Sequence, residues 1–261
     1  MGFFNKLFGK SSNQTSGKNS NDFVSYSNED LSSEKELSLK TLNLRKDVLE
    51  SLCLEKKELS NLTSRVAVVM DYSGSMDNLY YNGTVQKILE RLLPLALKFD
   101  DNGELETWIF SNDCYRLENI TKDNYFNYIE NENILNNYCM RGTHFVPVMK
   151  DVVKKYIKEE PCDLPTYVIF ITDGENSDQS DTTKFIIENC KQPIFWQFVG
   201  IGNSLFMYLK KLDEMDGREI DNVNFFAIED LLAGKDEDLY NKLLTEYPSW
   251  LNLAKSKGII K

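Results

Sequence analysis

Three oxygen-bearing side chains lie close together in the segment 71–75, where Asp71, Ser73 and Ser75 are separated by single residues. The segment follows the apolar run 66–70, which is typical of a strand buried on both faces. Open α/β sheets bind ligands at the carboxyl ends of their strands, so we expect these side chains to face a ligand. Oxygen donors on a tight loop suit a hard divalent cation such as Mg²⁺.

Two later segments carry side chains of the same chemistry. Thr143 follows Gly142 and offers a hydroxyl, and Asp173 leaves the apolar run 167–171 directly before Gly174. A single Asp after a strand is usually a turn residue or a helix cap, so each segment alone is a weak signal. The three segments together, each beside an apolar run or a glycine, indicate one metal site at the carboxyl end of a sheet.

The Asp-x-Ser-x-Ser pattern, followed by Thr143 and Asp173, resembles the metal-ion-dependent adhesion site of von Willebrand factor A (VWA) domains. The resemblance implies that Ser73, Ser75 and Thr143 bind the metal directly. It also implies that Asp71 and Asp173 act mostly through bound water. Mg²⁺ is the expected ion, with Ca²⁺ or Mn²⁺ as alternatives.

Further segments resemble the VWA proteins of bacterial tellurite-resistance and stress operons, and the similarity covers about residues 45–255. These segments are 54–57, 85–86, 90–101 and 104–108. The resemblance implies a Mg²⁺-dependent protein-binding module of a stress-response system. It also implies a partner protein that supplies a Glu or Asp to the metal.

Alternating apolar patterns predict an α/β fold, with a doubly wound, mostly parallel sheet and helices on both faces. The predicted strands are 65–71, 104–110, 114–118, 166–172, 193–201 and 223–228. The predicted helices of this region are 84–99, 122–129, 145–158, 181–190, 204–212 and 236–254. The connection between the second and third strands is short enough to require an antiparallel hairpin, which we expect at the sheet edge.

The composition excludes several classes of protein. A formal charge of −11 without a basic cluster argues against a nucleic-acid partner. The number of cysteines is odd, at five, and no Cys-x-x-Cys pair occurs, so we expect reduced thiols in a cytoplasm. No apolar run approaches the roughly 18 residues of a membrane-spanning helix, and the N-terminus lacks the features of a secretory signal.

The first 35 residues are predicted to be an amphipathic tip followed by a flexible linker, and residues 36–261 a single VWA domain that begins with a helix over 36–60. Residues 1–10 have apolar and basic side chains at helical spacing. This segment could contact the inner membrane surface, enter a groove on a partner, pack on its own domain or remain a frayed tail. The linker, 11–35, is rich in Ser, Asn, Asp and Glu.

The alternative function is a Mg²⁺-dependent phosphohydrolase of the haloacid-dehalogenase type, which also places an Asp after its first strand. That chemistry needs a second Asp two positions later as general acid, and Ser73 stands there. The single histidine, His144, is expected to be a loop or helix-start residue on the rim of the metal face, since no Gly-x-Ser-x-Gly motif provides a nucleophile. We therefore expect no enzyme activity. Asp181 is expected to be the N-cap of the helix that follows it.

Overall fold

The computed structural model describes residues 28–56, 59–229 and 234–261. Its centre is a six-stranded sheet with the order β3-β2-β1-β4-β5-β6. The strands are β1 (Arg65–Asp71), β2 (Glu106–Phe110), β3 (Cys114–Arg116), β4 (Thr166–Thr172), β5 (Ile194–Ile201) and β6 (Val223–Ile228). All neighbouring strands are parallel except β2 and β3, which are antiparallel. The predicted fold class, including the antiparallel edge strand, is confirmed.

The two central strands are buried along their whole length, which explains their continuous apolar sequences. The edge hairpin turns through Ser111, whose N–H donates to the carbonyl of Asp113 over 2.8 Å. β2 begins at Glu106 rather than at residue 104, because Leu105 instead pairs with Ile120 in an isolated antiparallel bridge.

Helices pack on both faces of the sheet. They are α1 (Asn28–Glu55), α2 (Asp77–Tyr81), α3 (Thr84–Phe99), α4 (Tyr128–Asn131), α5 (Ile134–Asn137), α6 (Phe145–Val153), α7 (Gln179–Asn189), α8 (Met207–Asp213), α9 (Asp236–Leu243) and α10 (Tyr247–Ser256). A π-helical segment, Lys154–Glu159, continues α6.

Side chains alternate between two apolar cores along β1. Val66, Val68 and Met70 belong to the core that includes residues of α1, α3, α9 and α10. Ala67 and Val69 belong to the opposite core, which includes residues of α6, α7 and α8. This arrangement is the doubly wound architecture that the alternating sequence pattern predicts.

Two predicted helices are wrong. The helix expected over 122–129 is replaced by α4 and α5, because Asn127 and Asn133 precede them in the left-handed conformation with φ of 55° and 52°. The helix expected over 236–254 is divided into α9 and α10. The break covers residues 244–246, and Pro248 lies in the first turn of α10, where proline is favoured at the start of a new helix.

The start of α1 also differs from its prediction. The helix begins at Asn28 rather than near residue 36, so residues 28–35 are helical and the predicted linker was too long. An i,i+4 ion pair between Lys40 and Glu36, with 2.7 Å between Nζ and Oε1, favours this helical extension. The C-terminal half of α1 packs into the domain through Leu42 and Leu49, whereas nearly every residue of 30–40 is exposed.

The segments predicted as the amphipathic tip, 1–10, and as most of the linker, 11–27, lie outside the described residues. Within the described part of the chain, no helix combines the length and apolar character needed to cross a membrane.

Candidate metal centre

The first predicted site residue, Asp71, is the last residue of β1 and is fully buried. Its Oδ1 accepts a hydrogen bond from the N–H of Ser73 over 2.8 Å. Its Oδ2 accepts one from the hydroxyl of Thr172, at the end of β4, over 2.6 Å. The carboxylate is therefore fixed between the two central strands at their carboxyl ends.

A chain of hydroxyl groups connects the loop after β1 to the loop after β4. The hydroxyls of Ser73 and Ser75 are 3.1 Å apart, and Ser75 donates to Oδ1 of Asp173 over 2.8 Å. Ser73 is buried and Ser75 is exposed, so the chain runs from the interior to the surface. Four of the five predicted residues, Asp71 among them, thus form one hydrogen-bonded cluster.

The fifth predicted residue, Thr143, lies in a segment bound to both loops by backbone hydrogen bonds. The N–H of Gly74 donates to the carbonyl of Arg141 over 3.0 Å, and the N–H of Ser177 donates to the carbonyl of Thr143 over 2.8 Å. A Cβ at Gly142 would lie 2.8 Å from Oδ1 of Asn112, so a larger residue there would make this exposed side chain of the β2–β3 hairpin move. The structure therefore brings the backbone of Thr143 between the loops that follow β1 and β4.

Asp178 is a residue of the site region that the sequence reasoning assigned no role. Its Oδ1 and Oδ2 accept the N–H groups of Phe145 and Val146 over 3.0 and 2.8 Å, which caps the N-terminus of α6. Asn176 donates to the same carboxylate over 2.7 Å. Asp178 thereby fixes the start of α6 two residues after Thr143.

Asp178 also occupies the N-cap position of α7, so the prediction that Asp181 is this N-cap was wrong. Asp181 lies in the first turn of the helix instead. In the sequence, either aspartate stands at a plausible spacing for an N-cap, and the contact of Asp178 with α6, 32 residues earlier, is visible only in the structure.

Comparison with known proteins identifies the domain. The sequence model of a VWA family, described as the VWA domain found at the C terminus of TerF, matches residues 63–260. The chain belongs to this TerF-like VWA family. The predicted family resemblance is thus confirmed.

The relatives of this VWA domain include proteins from several sources. The uncharacterized protein YcbR of Bacillus subtilis (strain 168) is 45% identical over 225 residues, which cover 85% of this chain and 90% of YcbR. Among solved structures, the ArnB paralog VWA2 of Sulfolobus acidocaldarius is 17% identical with a TM-score of 0.44, covering 70% of this chain and 44% of its own. A VWA protein from Catenulispora acidiphila is 15% identical with a TM-score of 0.47, covering 70% and 43%. This chain therefore spans less than half the length of these two.

Two tyrosines support the loop after β1 from below. Tyr72 is buried, donates to the carbonyl of Ile134 over 3.2 Å and packs edge-on against Tyr80. Tyr80 donates to the carbonyl of Asp71 over 3.0 Å. Tyr72 therefore packs beneath the loop rather than facing solvent. Tyr81, by contrast, is exposed.

His144 is the N-cap residue of α6, which confirms the predicted position at a helix start. Its backbone N–H donates to the carbonyl of Ser111 over 3.0 Å. Its Nδ1 is buried and has no hydrogen-bond partner among the described residues.

The electrostatics of the centre are dominated by burial. Burial raises the pKa of Asp71 to about 6 and also raises the pKa of Asp173. No lysine or arginine of the described residues forms an ion pair with either carboxylate. An external cation would supply the charge that is missing.

The donor set fits a hard cation. It consists of two carboxylates and the hydroxyls of two serines, with Thr143 adjacent, and oxygen donors of this kind suit Mg²⁺, Ca²⁺ or Mn²⁺. Within the described ranges, no group of three or more His, Cys, Asp or Glu side chains is arranged to hold a metal. A metal at this end of the sheet would therefore depend on the hydroxyl groups.

Proposed function

We propose that this protein is a Mg²⁺-dependent protein-binding module that binds another protein through its metal face. The observation that carries the proposal is the cluster of Asp71, Ser73, Ser75 and Asp173 at the carboxyl end of the sheet. Among the described residues, no lysine or arginine forms an ion pair with the carboxylate of Asp71 or Asp173. The hydroxyls of Ser73 and Ser75 already point toward each other. Such an arrangement favours the binding of a hard cation.

Each residue has a distinct role in this proposal. Ser73, Ser75 and Thr143 would bind the ion through neutral oxygens, and Asp71 and Asp173 would supply negative charge through bound water. The bound Mg²⁺ supplies a positive centre that attracts a carboxylate. Since three of the five residues are neutral, the ion keeps affinity for a further anionic ligand. A Glu or Asp of the partner fits this requirement. Ca²⁺ and Mn²⁺ are alternative ions.

The cellular setting is part of the same proposal. We infer a bacterial stress-response role of the tellurite-resistance type, supported by membership of the TerF-like family and by the resemblance of residues 45–255 to VWA proteins of such operons. We place the protein in the cytoplasm, with residues 1–10 as a candidate contact with the inner membrane surface. The acidic charge of −11 supports a protein partner rather than a nucleic acid.

Calorimetric titration of the full chain with Mg²⁺ tests the metal site directly. We expect Thr143→Ala to weaken binding at least ~10-fold, because losing a group that holds or orients a metal typically has this effect. Thr245→Ala is the matched control. Thr245 lies between α9 and α10, is exposed, and its hydroxyl donates to the carbonyl of Asn241 in α9. Equal Mg²⁺ affinity of wild type and Thr143→Ala would contradict the proposal.

A non-enzymatic role separates this proposal from the phosphohydrolase alternative. Ser73 stands where a dehalogenase-type enzyme needs its general acid, and its hydroxyl contacts Ser75 instead. We expect no hydrolysis of 4-nitrophenyl phosphate with Mg²⁺ at high protein concentration. Turnover that disappears in Asp71→Asn would establish the enzyme and refute the binding module.

A further inference from the structure

Phe206 adopts a backbone conformation that is rare for an aromatic residue. Its φ and ψ are 48° and 42°, in the left-handed region, and its side chain is buried. The ring occupies a notch above Gly200, where a Cβ would lie 2.7 Å from a ring carbon. It also packs on Phe225, with 5.5 Å between ring centroids. Strained backbone of this kind persists only where the surroundings hold it, and it is concentrated at functional sites.

The consequence is that both neighbours of Phe206 are exposed. Leu205 is 74% exposed and Met207 is 66% exposed. A single exposed apolar residue needs no explanation, but two that flank a strained anchor form a small apolar surface. We call Leu205 and Met207 the apolar ridge.

The apolar ridge is attached to the loop that carries Asp173. On one side, Ser204 donates its hydroxyl hydrogen to the carbonyl of Asp173 over 2.7 Å. On the other side, the N–H of Tyr208 donates to the carboxylate of Glu175, with 3.1 and 3.2 Å to its two oxygens. The ridge is therefore held at a fixed position relative to the candidate metal centre.

Cavities lie on both sides of the apolar ridge. A cavity of about 350 Å³ is lined by Ser75, Asp173 and Ser204, among other residues. A second, of about 630 Å³, is lined by Glu175, Met207 and Lys211, among others. Ser204 lines the first cavity and Met207 the second, only three positions apart in the chain, so a short peptide segment with a carboxylate at the first cavity continues along the ridge toward the second.

Two lysines add charge complementarity. Lys210 and Lys211 follow Met207 by three and four positions on α8, so they share its side of the helix. Both are exposed, and neither forms an ion pair within the described part of the chain. Glu175 lines the same cavity as Lys211, but its carboxylate already accepts the N–H of Tyr208, so the ammonium groups of Lys210 and Lys211 remain available to an acidic ligand.

We propose that the partner binds through a linear acidic segment, in which an Asp or Glu reaches the metal and a large apolar residue nearby packs on the apolar ridge. The acidic half of this inference rests on the proposed function, whereas the apolar half rests on Leu205, Met207 and the strained Phe206. The two halves make separate predictions.

The experiment is a selection of random 12-residue peptides displayed on phage against the immobilised full chain in Mg²⁺. The consensus peptide is then synthesised, and its affinity is measured by fluorescence anisotropy. The double variant Leu205→Ser, Met207→Ser tests the ridge, and Leu54→Ser is the matched control, because Leu54 on α1 is 75% exposed. Thr143→Ala and excess chelator test the metal. A second peptide, with its apolar residue replaced by Ser, tests the same contact without altering the protein.

We expect a consensus with Asp or Glu within three residues of Leu, Ile, Met or Phe. The double variant and the Ser-substituted peptide should each lose at least about tenfold in affinity, since an anchor in a pocket typically contributes this much. Leu54→Ser should bind like the wild type. Chelator and Thr143→Ala should also weaken binding.

Other outcomes would refute either the acidic half or the apolar half of the proposal. Acidic peptides without an apolar preference, bound equally by the double variant, would refute the ridge and leave the metal-dependent function in place. Apolar peptides bound equally in chelator and by Thr143→Ala would refute the proposed function and the acidic half, while the ridge would stand. Enrichment of no peptide over a protein-free surface would refute the linear segment, and the Mg²⁺ titration would still decide the metal site.

Discussion

The two ends of the sheet handle buried carboxylates differently. At the amino end, Glu106 begins β2, lies 3.6 Å from the ammonium group of Lys155 and accepts a hydrogen bond from Tyr156. The guanidinium of Arg65 lies 4.4 Å from the ring centroid of the same Tyr156. At the carboxyl end, Asp71 and Asp173 accept hydrogen bonds from hydroxyl and N–H groups and have no described lysine or arginine partner.

This difference shows how the same chemical group can stabilise a fold or form a binding site. Burial raises the pKa of Glu106 as it raises the pKa of Asp71. A buried charge is costly unless it is paired, and at the amino end the chain supplies the cation itself. At the carboxyl end the carboxylates are oriented but not neutralised, which leaves the attraction for an ion from outside.

The largest expected effect is on Mg²⁺ affinity, which should depend on the carboxylate at the carboxyl end of the sheet and not on the one at the amino end. Asp71→Asn keeps the shape of the side chain but removes its charge, so we expect Mg²⁺ affinity to fall by at least ~10-fold in calorimetry. Glu106→Gln is the matched change at the amino end and should leave Mg²⁺ affinity unaltered. A similar loss in both variants would mean that global stability, rather than a local site, controls Mg²⁺ binding.

The second effect is on the free energy of unfolding, which should fall more when the amino-end carboxylate is neutralised than when the carboxyl-end carboxylate is neutralised. Glu106→Gln should lower the free energy of unfolding by about 1 kcal/mol in metal-free buffer, since it removes one of the two carboxylates that face Lys155 and the charged acceptor of the Tyr156 hydroxyl, while Glu160 stays paired with Lys155 at 2.9 Å. Asp71→Asn should cost less in the same chemical denaturation experiment, because no cation loses a partner. If Asp71→Asn proves the more destabilising in the absence of metal, the carboxyl end is not an uncompensated site.

An exception at the amino end provides the third test. Burial, with Glu246 and Asp221 nearby, raises the pKa of Asp213 to about 7. The native state therefore keeps a proton that the unfolded state releases near pH 4. This makes the stability contribution of Asp213 fall as the pH rises from about 4 through about 7.

Asp213→Asn should remove that pH dependence. After allowance for solvent screening, we expect the variant to exceed the wild type by roughly 1–2 kcal/mol at pH 8 and to match it at pH 4, by denaturant titration. The exposed Asp216 provides the control variant Asp216→Asn, which should change stability at neither pH. A variant with the same pH profile as the wild type would show that the nearby Arg218 neutralises the Asp213 carboxylate fully.

The smallest effect concerns the capping of α6. Asp178→Ala should cost about 1 kcal/mol of stability, since it leaves the N–H groups of Phe145 and Val146 without their acceptor. It should also weaken Mg²⁺ binding, because Thr143 precedes this helix start. Asp181→Ala should change thermal stability by less than ~0.5 kcal/mol. Equal effects of the two variants would contradict the assignment of the cap to Asp178.

The sequence predicts the parts of the site that are local in the chain. Asp71, Ser73 and Ser75 are neighbours in sequence and follow a strand recognisable from its apolar run, so their clustering depends only on the strand ending there. Asp173 follows β4, which pairs with β1, and parallel strands bring their carboxyl ends together. Membership of the VWA family was recognisable from the same residues.

The missed features depend on contacts that periodicity does not encode. Asp178 caps a helix more than 30 residues earlier in sequence, which no local pattern distinguishes from capping by Asp181. Asn127 and Asn133 end helical continuity through left-handed backbone that most residues avoid. The left-handed Phe206 depends on the notch above Gly200, which exists only in the folded protein.

The early start of α1 changes how the preceding chain is connected to the domain. The exposed stretch 30–40 extends about 15 Å along the helix axis, at 1.5 Å per residue. A flexible tether limits only the greatest distance between two attached bodies, whereas a helix also imposes a minimum one. The chain therefore enters the domain through an exposed stretch of helix rather than directly at the surface of the sheet and its packed helices.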